Sequence, residues 1–220
     1  MIAGCGVSMA LPSAQNAAVN AVPAGAIGKA ARDITLMAQT EVAEVHEDVS
    51  GGSSTMPHKQ NPVAAVAALA CSIQAPGLAA TLLAAMIQEH ERAAGAWHAE
   101  WRPFSDLLAV TGSAAAWLRT SLEGLRVDPQ RMRANLDATG GLLMAERVAA
   151  ALAPELGRLA AHELVERAAA SEEPFADALE RATDLERAQI ERLLDPLEYL
   201  GSAGEFVDRA LAAHRAVEAA

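Results

Sequence analysis

The amino-acid sequence predicts an all-α protein that combines a segment of a long-helix bundle with a small C-terminal helical domain. The first observation is composition: 52% of the 220 residues are hydrophobic and only 3% are aromatic. Alanine, leucine, glutamate and arginine dominate, and these residues favour helix over strand. The second observation is spacing, because apolar residues recur along most of the chain at the intervals of three and four that mark one face of a helix.

Charge and cysteine content narrow the functional class. The formal net charge of −11 argues against nucleic acid as a partner, because no basic surface is available. Cys5 and Cys71 are too few for a disulfide framework or a zinc site, and a reducing cytoplasm is the simplest location. The N-terminus does not resemble a signal peptide, and no apolar run looks long enough to span a bilayer. We expect a cytoplasmic protein without a membrane partner.

The first part of the chain is predicted to be irregular and then helical. Residues 1–23 carry two glycines and two prolines, and we interpret them as an irregular lead-in. Helical periodicity begins at Ala24 and should end near Asp48, ahead of the Gly51-Gly52 pair. This helix opens a predicted bundle segment that covers residues 24–127.

A second long helix should follow a polar loop. Asn61 is a favourable N-cap residue and Pro62 suits the first helical position. The helix after them is apolar almost all round, which is typical of a helix buried among other helices. Pro76-Gly77 should kink or break it. The stretch "AGAWHAEWRPF" is predicted to be an irregular link, and "SDLLAVTGSAAAWLRTSLEGL" a third helix.

The remaining residues, 128–220, are predicted to form the C-terminal helical domain. Asp128-Pro129 should start a helix that Gly140-Gly141 ends. Five shorter amphipathic helices follow, with sequences "LLMAERVAAAL", "GRLAAHELVERAAA", "PFADALERA", "DLERAQIERLL" and "AGEFVDRALAAHRAVEA". Only about three long helices precede this domain, so we expect the bundle to be completed by other chains or by sequence outside this chain.

The loop "GGSSTMPHKQNP", residues 51–62, has features that core packing does not require. Its glycines permit opening and closing, its hydroxyl groups can contact a substrate, and Lys59 supplies a cation. Asn61 adds an amide beside the positive end of a helix dipole, so the loop could grip a carboxylate and hold a reactive hydroxyl beside an acidic carbon. A solvated Ser/Gly linker before a capped helix is the alternative that the residues alone leave open.

The string "GSSTMPHKQNP" closely resembles the signature loop of the fumarase/aspartase superfamily, whose usual form is G-S-x-x-M-P-x-K-x-N-P. The resemblance implies a mostly helical homotetramer whose active sites lie where several subunits meet, with no cofactor. It implies that Ser53 is the catalytic base, and that Lys59 and Asn61 bind the substrate carboxylate. The neighbouring positions Ser54, Thr55 and Met56 match residues that contact the substrate.

Two departures bear on the member of the superfamily. Fumarases and adenylosuccinate lyases carry a glutamate seven positions after the lysine, where this chain has Val66. In "QEHERAAGAWHAEW", residues 88–101, the serines that help adenylosuccinate lyases hold a phosphate become Trp97 and His98. The arginine that closes their motif becomes Trp101, and tryptophan cannot grip phosphate as the arginine fork does. A nucleotide substrate is therefore disfavoured.

The chain is also similar to the 3-carboxy-cis,cis-muconate cycloisomerases of protocatechuate (beta-ketoadipate) breakdown. The similarity is carried by residues 88–101 and by the strings "STMPHK", "RMRANLDATGGLLMAE" and "DPLEYLGSAGEFVDRAL". One departure is Gln60, where the resemblance leads us to expect arginine. The implied reaction closes a lactone ring on a polycarboxylate, with Ser53 donating the proton to carbon. His90 is a candidate substrate contact, and a salt-bridged helix end is its alternative. Trp97 and Trp101 could line the pocket or pack at an interface.

Three interpretations follow. The first is the catalytic part of a carboxymuconate cycloisomerase, and the second is another lyase of the superfamily, including an adenylosuccinate lyase-like enzyme. The third is an inactive helical oligomerisation fragment that keeps a vestigial loop. The chain is short for the superfamily, and two further active-site regions that the resemblance implies are not visible in it. We therefore expect a C-terminal portion, with little or no activity of the 220-residue chain alone.

Overall fold

The structure is a computed structural model that describes residues 7–48, 50–52, 60–87 and 94–218. Within these ranges the chain forms nine α-helices, four strands of three residues each and two short 3-10 turns, which confirms the all-α prediction. It divides into two compact units, one ending at Arg131 and the other starting at Met132.

The first unit is built on three long helices, α1 (Val7–Met37), α2 (Val63–Ala84) and α3 (Ala96–Glu123), each of which packs against the other two. Alanines fill much of their shared core, together with Leu82 and Leu107. Such small side chains let helices approach closely. At Gly28, for example, an added Cβ would lie 2.9 Å from the Cβ of Ser72 on the next helix.

Helix α1 corrects the predicted irregular lead-in over residues 1–23. The described part of that stretch is helical from Val7 and passes through two prolines. Burial is the physical reason: Ala17 and Ala24 are fully buried against the other long helices, and this packing compensates for the lost backbone hydrogen bonds. The same helix ends at Met37 rather than near Asp48.

We expected a kink or a break at Pro76-Gly77. Helix α2 continues through this pair, so a break there is wrong. Ala75 and Ala79, on either side of that pair, are buried against the neighbouring helices. Helix α3 likewise includes most of the stretch that was predicted to be an irregular link. It begins at Ala96 and passes through Pro103. In both helices tertiary packing outweighs the local cost of proline.

By length and composition alone, α2 is the single helix in the described ranges that could cross a membrane. The expectation that no apolar run reaches that length is therefore wrong. The core helix of a soluble protein passes the same test, and α2 packs along both α1 and α3 with seven of its side chains buried.

Two small antiparallel pairs, which the sequence did not predict, connect the long helices. Strand β1 (Val45–Glu47) pairs with β4 (Leu125–Val127), and β2 (Ser50–Gly52) pairs with β3 (Gln60–Pro62). Three residues are too few for an alternating hydrophobic pattern to be recognised. Strand β3 leads directly into α2, so the second pair lies at the start of that helix.

The second unit contains the short helices, which match the predicted positions closely. They are α4 (Pro129–Asp137, which begins in the first unit), α5 (Ala145–Leu156), α6 (Arg158–Ala169), α7 (Phe175–Ala182), α8 (Arg187–Leu194) and α9 (Ala203–Glu218). The 3-10 turns cover Leu142–Met144 and Pro196–Tyr199.

The predicted start at Asp128-Pro129 is confirmed, because the Asp128 carboxylate accepts a hydrogen bond from the Arg131 N–H at 2.9 Å. A core around Val148, Leu179 and Ile190, each fully buried, holds α5 to α8 together.

Candidate active site

Most of the predicted site residues lie outside the described residues. These are Ser53, Ser54, Thr55, Met56, Lys59 and His90. Asn61 is described, as are the strands that flank the signature loop and the helix that follows it. The geometry of this frame is therefore what the structure contributes to the site.

Strands β2 and β3 form the stem of the signature loop. Gly52 pairs with Gln60, Gly51 with Asn61 and Ser50 with Pro62. The two ends of the loop, at Gly52 and Gln60, therefore lie side by side in this strand pair. Opposed residues in such a pair have Cα atoms about 4.5–5.5 Å apart.

Asn61 is committed to this stem and not to the helix. Its Nδ2 donates a hydrogen bond to the backbone oxygen of Gly51 at 3.2 Å. The N-cap position of α2 is Pro62, which makes no side-chain capping bond, and Val63 is the first helical residue. The predicted capping role of Asn61 is therefore wrong. The residue belongs to β3, where a side chain that reaches across the hairpin cannot also reach the first turn of the helix.

The start of α2 is capped instead by Glu47, a residue that the sequence analysis missed. Its two carboxylate oxygens accept hydrogen bonds from the backbone N–H groups of Ala64, at 3.0 Å, and Ala65, at 2.9 Å. The Glu47 side chain is buried, with 5% of the residue exposed. These N–H groups are among the four at a helix start that have no partner inside the helix. No local pattern could have revealed the contact, since the partners are 17 and 18 residues apart.

This cap changes the electrostatics that the sequence suggested. The first turn of a helix carries a partial positive charge of about half an elementary charge. In α2 the Glu47 carboxylate offsets that charge and occupies two of the N–H groups. A substrate carboxylate at the loop would therefore depend mainly on side-chain donors, of which Lys59 is the predicted cation.

Glu47 is held by the other strand pair. Strand β1 lies against β4, and the Asp48 N–H donates to the Gly124 oxygen at 2.8 Å. Asp48 also accepts two hydrogen bonds from the Arg126 guanidinium, each at 2.8 Å, and these bonds lower the pKa of the Asp48 carboxyl below its ordinary value. A frame that includes the end of α3 thus supports the start of α2.

An aromatic cluster occupies the first two turns of α3. The Trp97 ring lies 5.1 Å from the Trp101 ring and 5.3 Å from the His98 ring, and both contacts are edge-to-face. Trp101 remains 54% exposed. The cluster presents an apolar surface directly after residues 88–93 in the chain. In the described ranges, no group of three or more His, Cys, Asp or Glu residues is arranged to hold a metal ion.

Comparison with known proteins gives consistent matches to lyases. A family model described as Lyase matches residues 14–77, and one described as Adenylosuccinate lyase C-terminus matches residues 141–210. A 3-carboxy-cis,cis-muconate cycloisomerase of Bradyrhizobium diazoefficiens is 47% identical over 209 residues, which cover 90% of this chain and 46% of the relative. A nitrosuccinate lyase of Streptomyces davaonensis is 46% identical over 211 residues, which cover 91% of this chain and 44% of the relative.

Among solved structures, the 3-carboxy-cis,cis-muconate lactonizing enzyme from Pseudomonas putida matches with a TM-score of 0.78 and 42% identity. The match covers 92% of this chain and 47% of that one. The chain thus spans about half the length of the curated relatives it matches.

Proposed function

Because this chain belongs to the fumarase/aspartase superfamily of lyases, we propose that it carries the signature-loop part of an active site that cyclises 3-carboxy-cis,cis-muconate to a carboxymuconolactone. The observation that carries the proposal is the 47% identity to a cycloisomerase along nine-tenths of the chain. Further cycloisomerases, from Pseudomonas aeruginosa and Acinetobacter baylyi, are 46% and 40% identical over similar lengths.

The proposed reaction is an intramolecular addition. A carboxylate oxygen of the substrate bonds to a carbon of the conjugated double bond and closes the lactone ring. The electron pair of that double bond moves to the neighbouring carbon, where the adjacent carboxylate delocalises it, and a proton then adds there. A carboxylate becomes an ester while a carbon gains a hydrogen, so each turnover consumes one proton. The chemistry needs neither a metal ion nor an organic cofactor.

Ser53 is the residue that we assign to the proton transfer. Its hydroxyl would donate to the carbanion in the lactonising direction and remove the same proton in reverse. Lys59 and Asn61 would stabilise the electron-rich carboxylate of the intermediate, a role for which a well-placed donor contributes about 3 kcal/mol. The frame of β2, β3 and Glu47 supports this assignment, because it holds both ends of the loop and the backbone of Asn61.

Several neighbouring residues complete the proposed substrate contacts. They are Ser54, Thr55 and Met56 within the loop and His90 beyond α2. Gln60 takes the place where the resemblance leads us to expect arginine, so this site has one cation fewer for a tricarboxylate. We therefore expect weaker substrate binding than in a cycloisomerase that has arginine there.

We propose further that the active chain is a cytoplasmic homotetramer with active sites shared between subunits. Exposed apolar side chains on the three long helices support an assembly: Val22 of α1 is 73% exposed, Ile73 of α2 64% and Leu122 of α3 53%. An apolar surface of this kind on a folded unit is typical of a protein interface. Light scattering coupled to gel filtration would give four times the chain mass if the proposal holds.

A lyase that acts on a substituted succinate is the second candidate function. The 46% identity to a nitrosuccinate lyase favours it. Such a reaction would use the same Ser53 to remove a proton next to a carboxylate. A nucleotide adduct is less compatible, because Trp101 stands in the position where adenylosuccinate lyases have the arginine of their phosphate-binding motif.

One set of assays distinguishes these candidates. The full-length gene product, rather than the 220-residue chain alone, is incubated separately with 3-carboxy-cis,cis-muconate, nitrosuccinate and adenylosuccinate, and the loss of the diene chromophore or the release of products is followed. Our proposal predicts turnover of the muconate alone, with uptake of one proton per molecule in a weakly buffered solution. Preferential cleavage of either succinate derivative would contradict it.

A further inference from the structure

We propose that Glu47 is a positioning residue that fixes the junction between β3 and α2 and thereby holds Asn61 in place for the reaction. The inference rests on the proposed function only for the role of Asn61. The contact itself is a property of the fold and can be tested without any substrate.

The junction is fixed by two hydrogen bonds from one side chain. Glu47 accepts from the N–H groups of Ala64 and Ala65 with one oxygen each, at 3.0 and 2.9 Å. Both amides and the carboxylate are buried. Hydrogen bonds to an ionised acceptor are shorter and stronger than those between neutral groups. This double contact therefore determines where the first turn of α2 begins.

The Glu47 carboxylate links the start of α2 to strand β1, which lies outside the loop stem. Strand β1 pairs with β4, and Asp48, the residue after β1, donates to the Gly124 oxygen; neither partner belongs to the loop stem. Through Glu47 this frame is joined to α2, three residues after Asn61. The backbone of Asn61 is thus fixed by its pairing with Gly51 on one side and by the Glu47 contact on the other.

Because Glu47 caps α2, Asn61 is not needed as the cap of that helix. An asparagine before proline at a helix start is a typical capping residue. Here the Asn61 amide is directed across the hairpin to Gly51, and Pro62 has no side-chain group that could cap. If Glu47 did not satisfy the buried amides of Ala64 and Ala65, they would carry the cost of unpaired buried donors. The cap of α2 is therefore supplied by Glu47 and not by Asn61, the residue that we assign to substrate binding.

Glu47→Gln tests the inference with little change in shape. Glutamine has one oxygen in place of two and presents N–H donors to a helix amide that itself donates. Glu41→Gln is the matched control, because Glu41 lies exposed in the turn before β1 and its substitution removes the same charge. Hydrogen exchange measured by NMR should be at least about tenfold faster at Ala64 and Ala65 in the Glu47 variant. The control should behave as wild type, and the buried Ile190 of the other unit provides an internal reference.

The role in the reaction is tested on the gene product by steady-state kinetics. We expect kcat to fall at least about tenfold in Glu47→Gln with KM within about threefold, because the substrate still binds but Asn61 is poorly placed. In an Asn61→Ala background, Glu47→Gln should cause no further loss, since the two residues act through the same step.

The exchange and kinetic measurements test different parts of the inference. Unchanged exchange at Ala64 and Ala65 would overturn the inference. Faster exchange with unchanged kcat, or additive losses in the double variant, would reduce Glu47 to a structural cap and also overturn it. If the wild-type protein turns over none of the three substrates, the proposed function fails. Exchange at the Asn61 side-chain amide then decides the inference alone: acceleration by Glu47→Gln supports it and no change overturns it.

Discussion

Gly51→Ala tests how tightly the loop stem is packed. A Cβ at position 51 would lie 2.6 Å from Cγ2 of Val63 and 3.9 Å from Cβ of Asn61. The first distance is about 0.9–1.4 Å below ordinary carbon–carbon contact, which is about 3.5–4.0 Å. Either Val63 leaves its preferred helical rotamer or β2 moves away from β3. Val63 is 44% exposed, so rotation is the cheaper response.

The loss in the free energy of unfolding can be estimated from the two responses, rotation of Val63 and displacement of β2. An off-rotamer side chain costs of order 0.5–1.5 kcal/mol, and overpacking costs about 1–3 kcal/mol. We therefore expect a loss of about 1–2 kcal/mol. For a chain of this length that corresponds to a decrease in the melting temperature of about 2–8 °C. Scanning calorimetry of the purified chain measures it.

Gly77→Ala is the matched control, since a Cβ there meets no atom within 4 Å. Gly77 lies in the interior of α2, where alanine is favoured over glycine by about 0.5–1 kcal/mol, so this variant should be more stable than wild type. A Gly51→Ala protein that melts at or above the wild-type temperature would refute the described packing of the stem.

Other variants test the remaining contacts. Ser121 is buried in α3 and its hydroxyl bonds to no described residue, so Ser121→Ala should raise the unfolding free energy by about 1 kcal/mol in urea titration. Because Arg126 lowers the pKa of Asp48, the pair stabilises the fold at pH values above the ordinary Asp pKa, and this contribution is lost as the pH falls through the lowered value. In Arg126→Gln the Asp48 pKa should return towards its usual range, as measured by carbon NMR. Leu179 is fully buried, so Leu179→Ala should cost about 2–5 kcal/mol, whereas Leu197→Ala, at 65% exposure, should change calorimetric stability by less than about 0.5 kcal/mol.

Local signals in the sequence were sufficient for the elements whose ends are set locally. Asp128 and Pro129 start α4 by capping and by a preset φ, and both act within one turn. The apolar spacing of α5 to α8 likewise reflects contacts between short neighbouring helices. The signature loop was identified from its residue string, independently of any fold.

Elements that depend on distant contacts could not be predicted in the same way. The helix over residues 7–37 survives two prolines because Ala17 and Ala24 pack into the core, and that burial is absent from any local window. Helix α2 does not break at Pro76 for the same reason. The Glu47 cap joins residues on either side of the loop, so its sequence neighbourhood carries no signal of it. In α1 and α2 tertiary packing outweighs the local tendency of proline to end a helix, and at the start of α2 a long-range hydrogen bond replaces a local cap.

The most direct test of the proposed chemistry is turnover of 3-carboxy-cis,cis-muconate by the gene product with Ser53 replaced by alanine. The proposal predicts a decrease in kcat of about 10²–10⁴-fold, the usual contribution of a general acid or base, with unchanged helicity and molecular mass. Ser202→Ala, at an exposed position of the C-terminal unit, should retain wild-type turnover. A Ser53→Ala protein that lactonises the substrate at the wild-type rate would contradict the assignment of the proton transfer to this loop.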